Sequence, residues 1–336
     1  MRQALLLAAL AATAALLGAP AAQAQGSAPA APAAVAPAAF FELRQVGQGV
    51  YAAIDLNGRA VGNAGVIIGR DAVAVVDSFI NEDAARALLA EIRRLTPLPL
   101  RYLINTHHHI DHIGGNRVFA EAGAAVVAQR QVAGWLRSEN ERLLGGAAIS
   151  PEWRARLSGL QAPQLLFDDR LVLDLGGGRR LQLQHLQGHT GGDTAIWVED
   201  AGVLFMGDLM WRASVPNLID AQLWRWIATL DALQSLPAAT VVVPGHGSVA
   251  GLADLREFRA YLVELRRLAE AALQDKSLAD AAQRERQVLE ALTPRYGAWA
   301  FFKSLAAANV RDALAEAEHR KRVPEALPAP RPLPQP

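Results

Sequence analysis

Half of the chain's 8 histidines fall in one short stretch: Thr106, His107, His108, His109, Ile110, Asp111 and His112. The stretch directly follows a strand-like run at residues 100–104. Imidazoles and carboxylates resist burial without partners, so such a cluster makes poor packing material. It requires a fold in which a strand ends here and the following turn serves a common ligand. His107 and His109 stand two apart in an extended segment, which points both side chains to one side. Two imidazoles on one face suit Zn²⁺. Asp111 and His112 follow as the chain turns and offer a carboxylate and a third imidazole to a second site. Gly114 and Gly115 then allow a tight turn and close backbone approach.

Three later residues extend the set. His189 lies in the run Gly188, His189, Thr190, Gly191, Gly192; Asp208 follows Gly207; His246 stands between Gly245 and Gly247. Each is expected on a glycine-flanked loop at a strand end, where loops from one sheet edge converge. The other histidines take no part in the set: His108 points away from its neighbours toward a structural or solvent contact, His185 sits in an alternating strand pattern, and His319 lies solvated in a charged helix end.

With no cysteine, the chain has neither disulfides nor thiolate ligands, so any metal is held by His and carboxylates. Lys+Arg and Asp+Glu are both 33, giving a formal net charge of zero. That balance provides no electrostatic footprint for nucleic acid or an anionic membrane. The expected partner is a small-molecule substrate.

The N-terminus has the layout of a secretory signal peptide: Arg2, an apolar run over residues 4–17, and the small residues Ala22 and Ala24 before Gln25. The expected organisation is a signal peptide at 1–24, an Ala/Pro linker at 25–39, a catalytic domain at 40–250, a helical extension at 251–323 and a proline-rich tail at 324–336. Cleavage before Gln25 leaves a periplasmic or secreted protein without stable membrane insertion. Strands are expected at 50–54, 64–68, 72–76, 100–104, 124–128, 171–175, 181–186, 194–198, 203–206 and 240–243. A helix is expected at 83–95 with Asn81 as its cap, and a helical pattern runs over 252–292. Two β-rich halves with helices outside make an α/β sandwich.

The order Asp77, His107, His109, Asp111, His112, His189, Asp208, His246 resembles the metallo-β-lactamase superfamily over roughly residues 42–250. The resemblance implies an αββα four-layer sandwich with additional C-terminal helices and a binuclear site between the sheets. It implies that His107, His109 and His189 hold one divalent metal and that Asp111, His112 and His246 hold the other. Asp208 would bridge them, and Asp77 would stand behind the ligands, bonding within the 107–112 loop. Zn²⁺ is the expected ion, with iron and manganese compatible with the same donors. The implied chemistry is hydrolysis of an acyl bond (thioester, lactone, ester or strained amide) by a hydroxide shared between the metals, with Asp111 as the catalytic residue that orients it.

Asp208 resembles the glyoxalase II and lactonase branches, since β-lactamases of this fold usually carry Cys or Ser there. Pro216, Asn217, Leu218, Ile219 and Asp220, with Trp224 and Trp226, resemble secreted quinoprotein-relay-type metallohydrolases. A periplasmic β-lactamase and a mononuclear iron enzyme like persulfide dioxygenase are the alternatives, the second disfavoured by the full ligand set. Phe79, Trp211 and Trp224 are the expected pocket residues, while Trp299, Phe301 and Phe302 are expected to dock a helix.

Overall fold

The computed structural model describes residues 39–278 and 280–325. The expected signal peptide, nearly all of the linker and the tail from 326 onward lie outside the described residues.

The elements run in chain order as β1 (Phe41–Gly47), β2 (Val50–Asp55), β3 (Ala64–Ile68), β4 (Val73–Val76), α1 (Glu82–Leu95), β5 (Leu100–Asn105), α2 (Ile110–Ile113), α3 (Asn116–Glu121) and β6 (Ala125–Gln129). Then come α4 (Arg130–Trp135), α5 (Ser138–Leu143), α6 (Pro151–Ser158), β7 (Leu165–Phe167), β8 (Arg170–Asp174), β9 (Arg180–His185), β10 (Thr194–Val198) and β11 (Val203–Trp211). The chain closes with α7 (Leu223–Leu233), β12 (Val241–His246), α8 (Leu252–Gln274), α9 (Ala281–Tyr296) and α10 (Phe302–Ala317).

Strands β1 to β7 form one sheet in sequence order; the second has the order β12-β11-β10-β9-β8. Alternate side chains of each strand serve different layers. Val66, Val75, Leu103 and Val126 face α1 and α3, meeting Leu88, Ile92 and Phe119. Their neighbours Ile67, Val76, Ile104 and Val127 face the other sheet and pack with Leu183, Ile196, Phe205 and Val243. On the outer face of the second sheet, Leu204, Met206 and Val242 meet Trp226, Phe258 and Leu262 of the helices. The architecture is therefore the expected αββα sandwich, with α8 to α10 extending its second helical layer. The described residues belong to one compact unit.

Helix α1 begins as its sequence predicts: the Asn81 side chain accepts from Ala84 N at 2.9 Å. Other boundaries differ from the expectation. β11 continues through Asp208 to Trp211, and His246 is the last residue of β12, so neither sits on a loop beyond its strand. The cause is parallel pairing that persists, with register shifts at Gly207, as far as Trp211 opposite His246. The helical pattern at 252–292 is two helices: Asp275 accepts from Ser277 in a tight turn, and Asp280 caps α9 by accepting from Gln283 N. Edge strands β1 and β7 carry too little alternation to stand out, and α10 lies in the expected helical extension but beyond the helical pattern at 252–292. Pro324 is buried and the Glu325 carbonyl accepts from Trp135 Nε1 at 3.0 Å, so the expected free tail begins docked. Among the described residues, no helix is long and apolar enough to cross a membrane.

Candidate metal centre

The seven expected ligands come together at one end of the space between the sheets. β5 delivers His107 and His109, and His109 remains extended as the residue before α2. The single turn of α2 then presents Asp111 and His112. His189 comes from the β9–β10 connection, Asp208 from β11 and His246 from the end of β12.

Their donor atoms form two groups, His107, His109, His189 and Asp208 in one and Asp111, His112 and His246 in the other. In the first, His109 Nδ1 lies 3.0 Å from His189 Nε2, and Asp208 Oδ2 lies 3.3 Å from His189 Nε2 and 3.7 Å from His107 Nε2. In the second, His246 Nε2 is 3.3 Å from Asp111 Oδ2, and His112 Nε2 is 3.7 Å from it. Asp208 Oδ1 joins that group, 3.0 Å from His112 Nε2 and 3.4 Å from His246 Nε2. One carboxylate thus turns one oxygen to each group.

The donor set fits divalent cations. Nitrogen and oxygen ligands about 2.0–2.1 Å from a tetrahedral ion lie roughly 3.3 Å from each other. His107 Nε2, His112 Nε2, His246 Nε2 and Asp208 Oδ1 are buried without a hydrogen-bond partner, the condition of atoms aimed at an ion. Burial holds His107 and His189 well below the ordinary imidazole value, in the neutral form that ligates. Burial acts the same way on His246, but Asp208 and Asp111 outweigh it and raise the ring to about 9. Burial also works against charge on Asp111, yet His112 and His246 hold it at about 2. A buried carboxylate, Asp208, and a partly buried one, Asp111, call for positive charge in this cluster.

A second tier of polar residues fixes the ligands. Asp77 accepts from Thr106 N at 2.8 Å and Thr106 Oγ1 at 2.7 Å, and meets His112 Nδ1 at 2.9 Å. Asp193 accepts from Thr190 N at 2.8 Å and ties down the His189 loop; burial lifts its carboxyl to about 7. Asn63 donates to the carbonyls of Pro244 and Gly247, holding the end of β12 that carries His246. Asn140 of α5 accepts from Ile110 N at 2.8 Å and donates to the His108 carbonyl. Asp220 stands 3.1 Å from His109 Nε2 and 3.4 Å from His108 Nε2. His108 is thus wholly buried, with a structural contact rather than a solvent one. Asn63, Asn140 and Asp193 lie in no local motif, and sequence reasoning missed them; Asp193, four residues after His189 in a glycine-rich turn, carries the clearest available signal.

The three expected pocket residues separate. Trp211 stacks on His246 with centroids 3.8 Å apart. Phe79 does not face the site: it is fully buried and stacked on Phe41 at 5.3 Å, because positive φ angles at Asp77 and Phe79 turn its ring into the layer under α1. Trp224 is 50% exposed and lies on the opposite side of α7 from the buried Leu223, Trp226, Ile227 and Leu230. It borders a separate cavity of about 580 Å³ with Arg266, Glu316, His319 and Lys321. The residue missed was Phe301, expected to dock a helix. A bridge between Ser214 and Ala300 carries it to 5.8 Å from Trp211 and 6.2 Å from His246, where it remains 47% exposed.

Fold, ligand order and geometry define a class, and sequence comparison agrees with it. The metallo-beta-lactamase superfamily pattern matches residues 57–246, more than half of the chain, and the chain belongs to that superfamily. It is similar to hydroxyacylglutathione hydrolase of Methylococcus capsulatus, with 32% identity over 53% of this chain and 58% of that enzyme. It is similar also to the acyl-coenzyme A thioesterase MBLAC2 of Bos taurus, with 32% identity over 44% of this chain and 56% of the relative. The chain thus spans little more than half the length of these two relatives. The solved metallo-beta-lactamase from Pontibacter korlensis shares the fold, with a TM-score of 0.53, 21% identity, 66% of this chain and 99% of that chain covered.

Proposed function

We propose that this protein is an exported hydrolase that holds two divalent metal ions, zinc foremost, and cleaves acyl bonds, with thioesters the leading substrate class. The observation that carries the reading is Asp208, whose two oxygens face two separate groups of buried donors. His107, His109 and His189 would hold one ion and Asp111, His112 and His246 the other. When bound, such ions supply Lewis acidity and a water acidic enough to react near neutral pH.

The chain's own groups do the rest. Asp111 is the ligand-set residue open to solvent, its side chain 19% exposed, and it is held ionised, so it can accept a hydrogen bond from water and orient it. Trp211 and Phe301 form an apolar wall beside His246, suited to an acyl chain and to excluding bulk water. The hydroxyacylglutathione hydrolase and the acyl-coenzyme A thioesterase among the relatives support a thioester. The N-terminal pattern supports export, which mass measurement of a mature chain starting at Gln25 would test.

The deciding experiment offers the zinc-loaded mature protein an S-acylglutathione, an acyl-coenzyme A, an ester, a lactone and a chromogenic cephalosporin. Expected is fastest turnover of a thioester, lost on chelation and reduced at least about a hundredfold in Asp111→Ala. Preference for the cephalosporin would replace the thioester reading with a β-lactamase. Turnover unchanged in Asp111→Ala would remove Asp111 from the chemistry.

A further inference from the structure

We propose that Arg322, near the C-terminal end of the chain, is a positioning residue for the metal centre, acting on His109 through the charge chain Glu139, Arg142 and Asp220. The proposal rests on the metal-centre reading above, and its first member, Arg322, lies beyond the superfamily match, which ends at 246.

The segment at 321–325 lies against the catalytic layers as a strap. Lys321 Nζ donates to the carbonyls of Ala221 and Leu218, and Trp135 Nε1 donates to Glu325. Between these anchors Arg322 grips Glu139 with both terminal nitrogens, at 2.8 and 3.0 Å, across 183 residues of sequence. Glu139 is 5% exposed and sits on α5, the helix whose Asn140 holds the backbone at His108 and Ile110.

The second grip on Glu139 is Arg142, whose Nε donates to it at 2.7 Å. The same guanidinium makes an ion pair with Asp220 Oδ1. The other oxygen of Asp220 faces His109 Nε2, at 3.1 Å, on the far side of the ring from the Nδ1 aimed at the ligand group. Such a carboxylate fixes the ring's orientation and tautomer, leaving Nδ1 as the lone-pair donor.

Charge counting shows why Arg322 matters. Two buried carboxylates, Glu139 and Asp220, are served by two guanidiniums, and Arg142 is shared. Without Arg322, Glu139 keeps one counter-charge, and a buried carboxylate short of counter-charge is costly. Arg142 is then drawn toward Glu139 and away from Asp220. Asp220 then loses the partner that fixes its Oδ1, and with it the orientation it imposes on the His109 ring, so Nδ1 is held less firmly toward the ligand group.

The test is cobalt(II) titration of the full mature chain, read by ligand-field absorption and by competition with a chromogenic chelator. The variants are Arg322→Ala, Arg322→Lys, Asp220→Asn and the double variant Arg322→Ala with Asp220→Asn. A cooperative melt for each confirms folding. Loss of a direct partner of a ligand typically costs about 10–100-fold in affinity, so Asp220→Asn should weaken one of the two binding events by roughly tenfold or more. Arg322→Ala should weaken the same event by roughly three- to tenfold, Arg322→Lys should restore part of it, and in the Asp220→Asn background the effect should shrink to within about twofold. Wild-type cobalt affinity and spectrum in Arg322→Ala, or equal losses in both backgrounds, would overturn the proposal while leaving the metal centre standing. A wild-type chain that takes up no cobalt would overturn both readings together.

Discussion

Gly245 shows how narrowly the centre is built at the level of one residue. It lies in β12 where that strand passes Asp208, and a Cβ there would run into Asp208 Oδ1 and the backbone beside it. That oxygen serves the His112 and His246 group, so there is no room for it to retreat without changing its distances there. Gly245→Ala is therefore expected to keep the fold while emptying that side of the centre. Metal analysis after dialysis should return about half the wild-type metal content, with turnover lost. A variant with full metal content and activity would show that Asp208 can rotate away, and the shared-carboxylate geometry would have to be abandoned. Gly207, at φ +48 and packed on Thr106, sets the other flank of Asp208. The sequence displayed both glycines beside their ligands, but not the contacts that make them necessary.

Elements were legible where periodicity and capping agreed. The spacing of Ala84, Leu88 and Ile92, with Asn81 ahead of them, defines α1, and the position of His107 and His109 after β5 follows from strand alternation. Elements were illegible where tertiary pairing decides their length, as when β11 extends through Asp208 because β12 runs beside it. Residues acting from other elements were the least legible. Glu139 reads as one acid on a short charged helix, yet its carboxyl is held at about 2, chiefly by the Arg322 guanidinium, against an ordinary 4.5. A carboxyl whose value is lowered on folding stabilises the fold when ionised. The contribution is complete above about pH 4.5 and fades as pH falls toward 2. The linkage is worth at most about 3 kcal/mol, and less in practice because Arg322 is 56% exposed. Glu139→Gln should lower Tm near pH 6 and leave it nearly unaltered near pH 2. An equal drop at both values would assign the loss to packing instead of charge.

At the scale of the whole molecule, the superfamily match ends with β12, but the packing does not. Leu204, Met206 and Val242 of the second sheet share one apolar cluster with Leu255, Phe258 and Leu262 of α8 and with Val310 of α10. Asn309 of α10 donates to the Pro216 carbonyl at 2.7 Å and accepts from Leu218 N, holding the loop that carries Asp220. Glu316 accepts from Leu223 N and Trp224 N at the start of α7, where Gln222 supplies no side-chain cap. Phe301, at the other end of α10, stands at the metal centre. The C-terminal helices therefore complete the second sheet's outer layer and part of the site wall. Each large apolar side chain uncovered by their removal costs about 1.5–3 kcal/mol, and a domain's whole stability is about 5–15 kcal/mol. A chain ended after residue 250 should lose its cooperative melt, bind a hydrophobic dye and retain no metal. A truncated chain that melts cooperatively and binds cobalt with wild-type affinity would instead make residues 251–325 a separable domain. In that case the hold of Asn309 on the Asp220 loop, and that of Arg322 on α5, would be dispensable contacts.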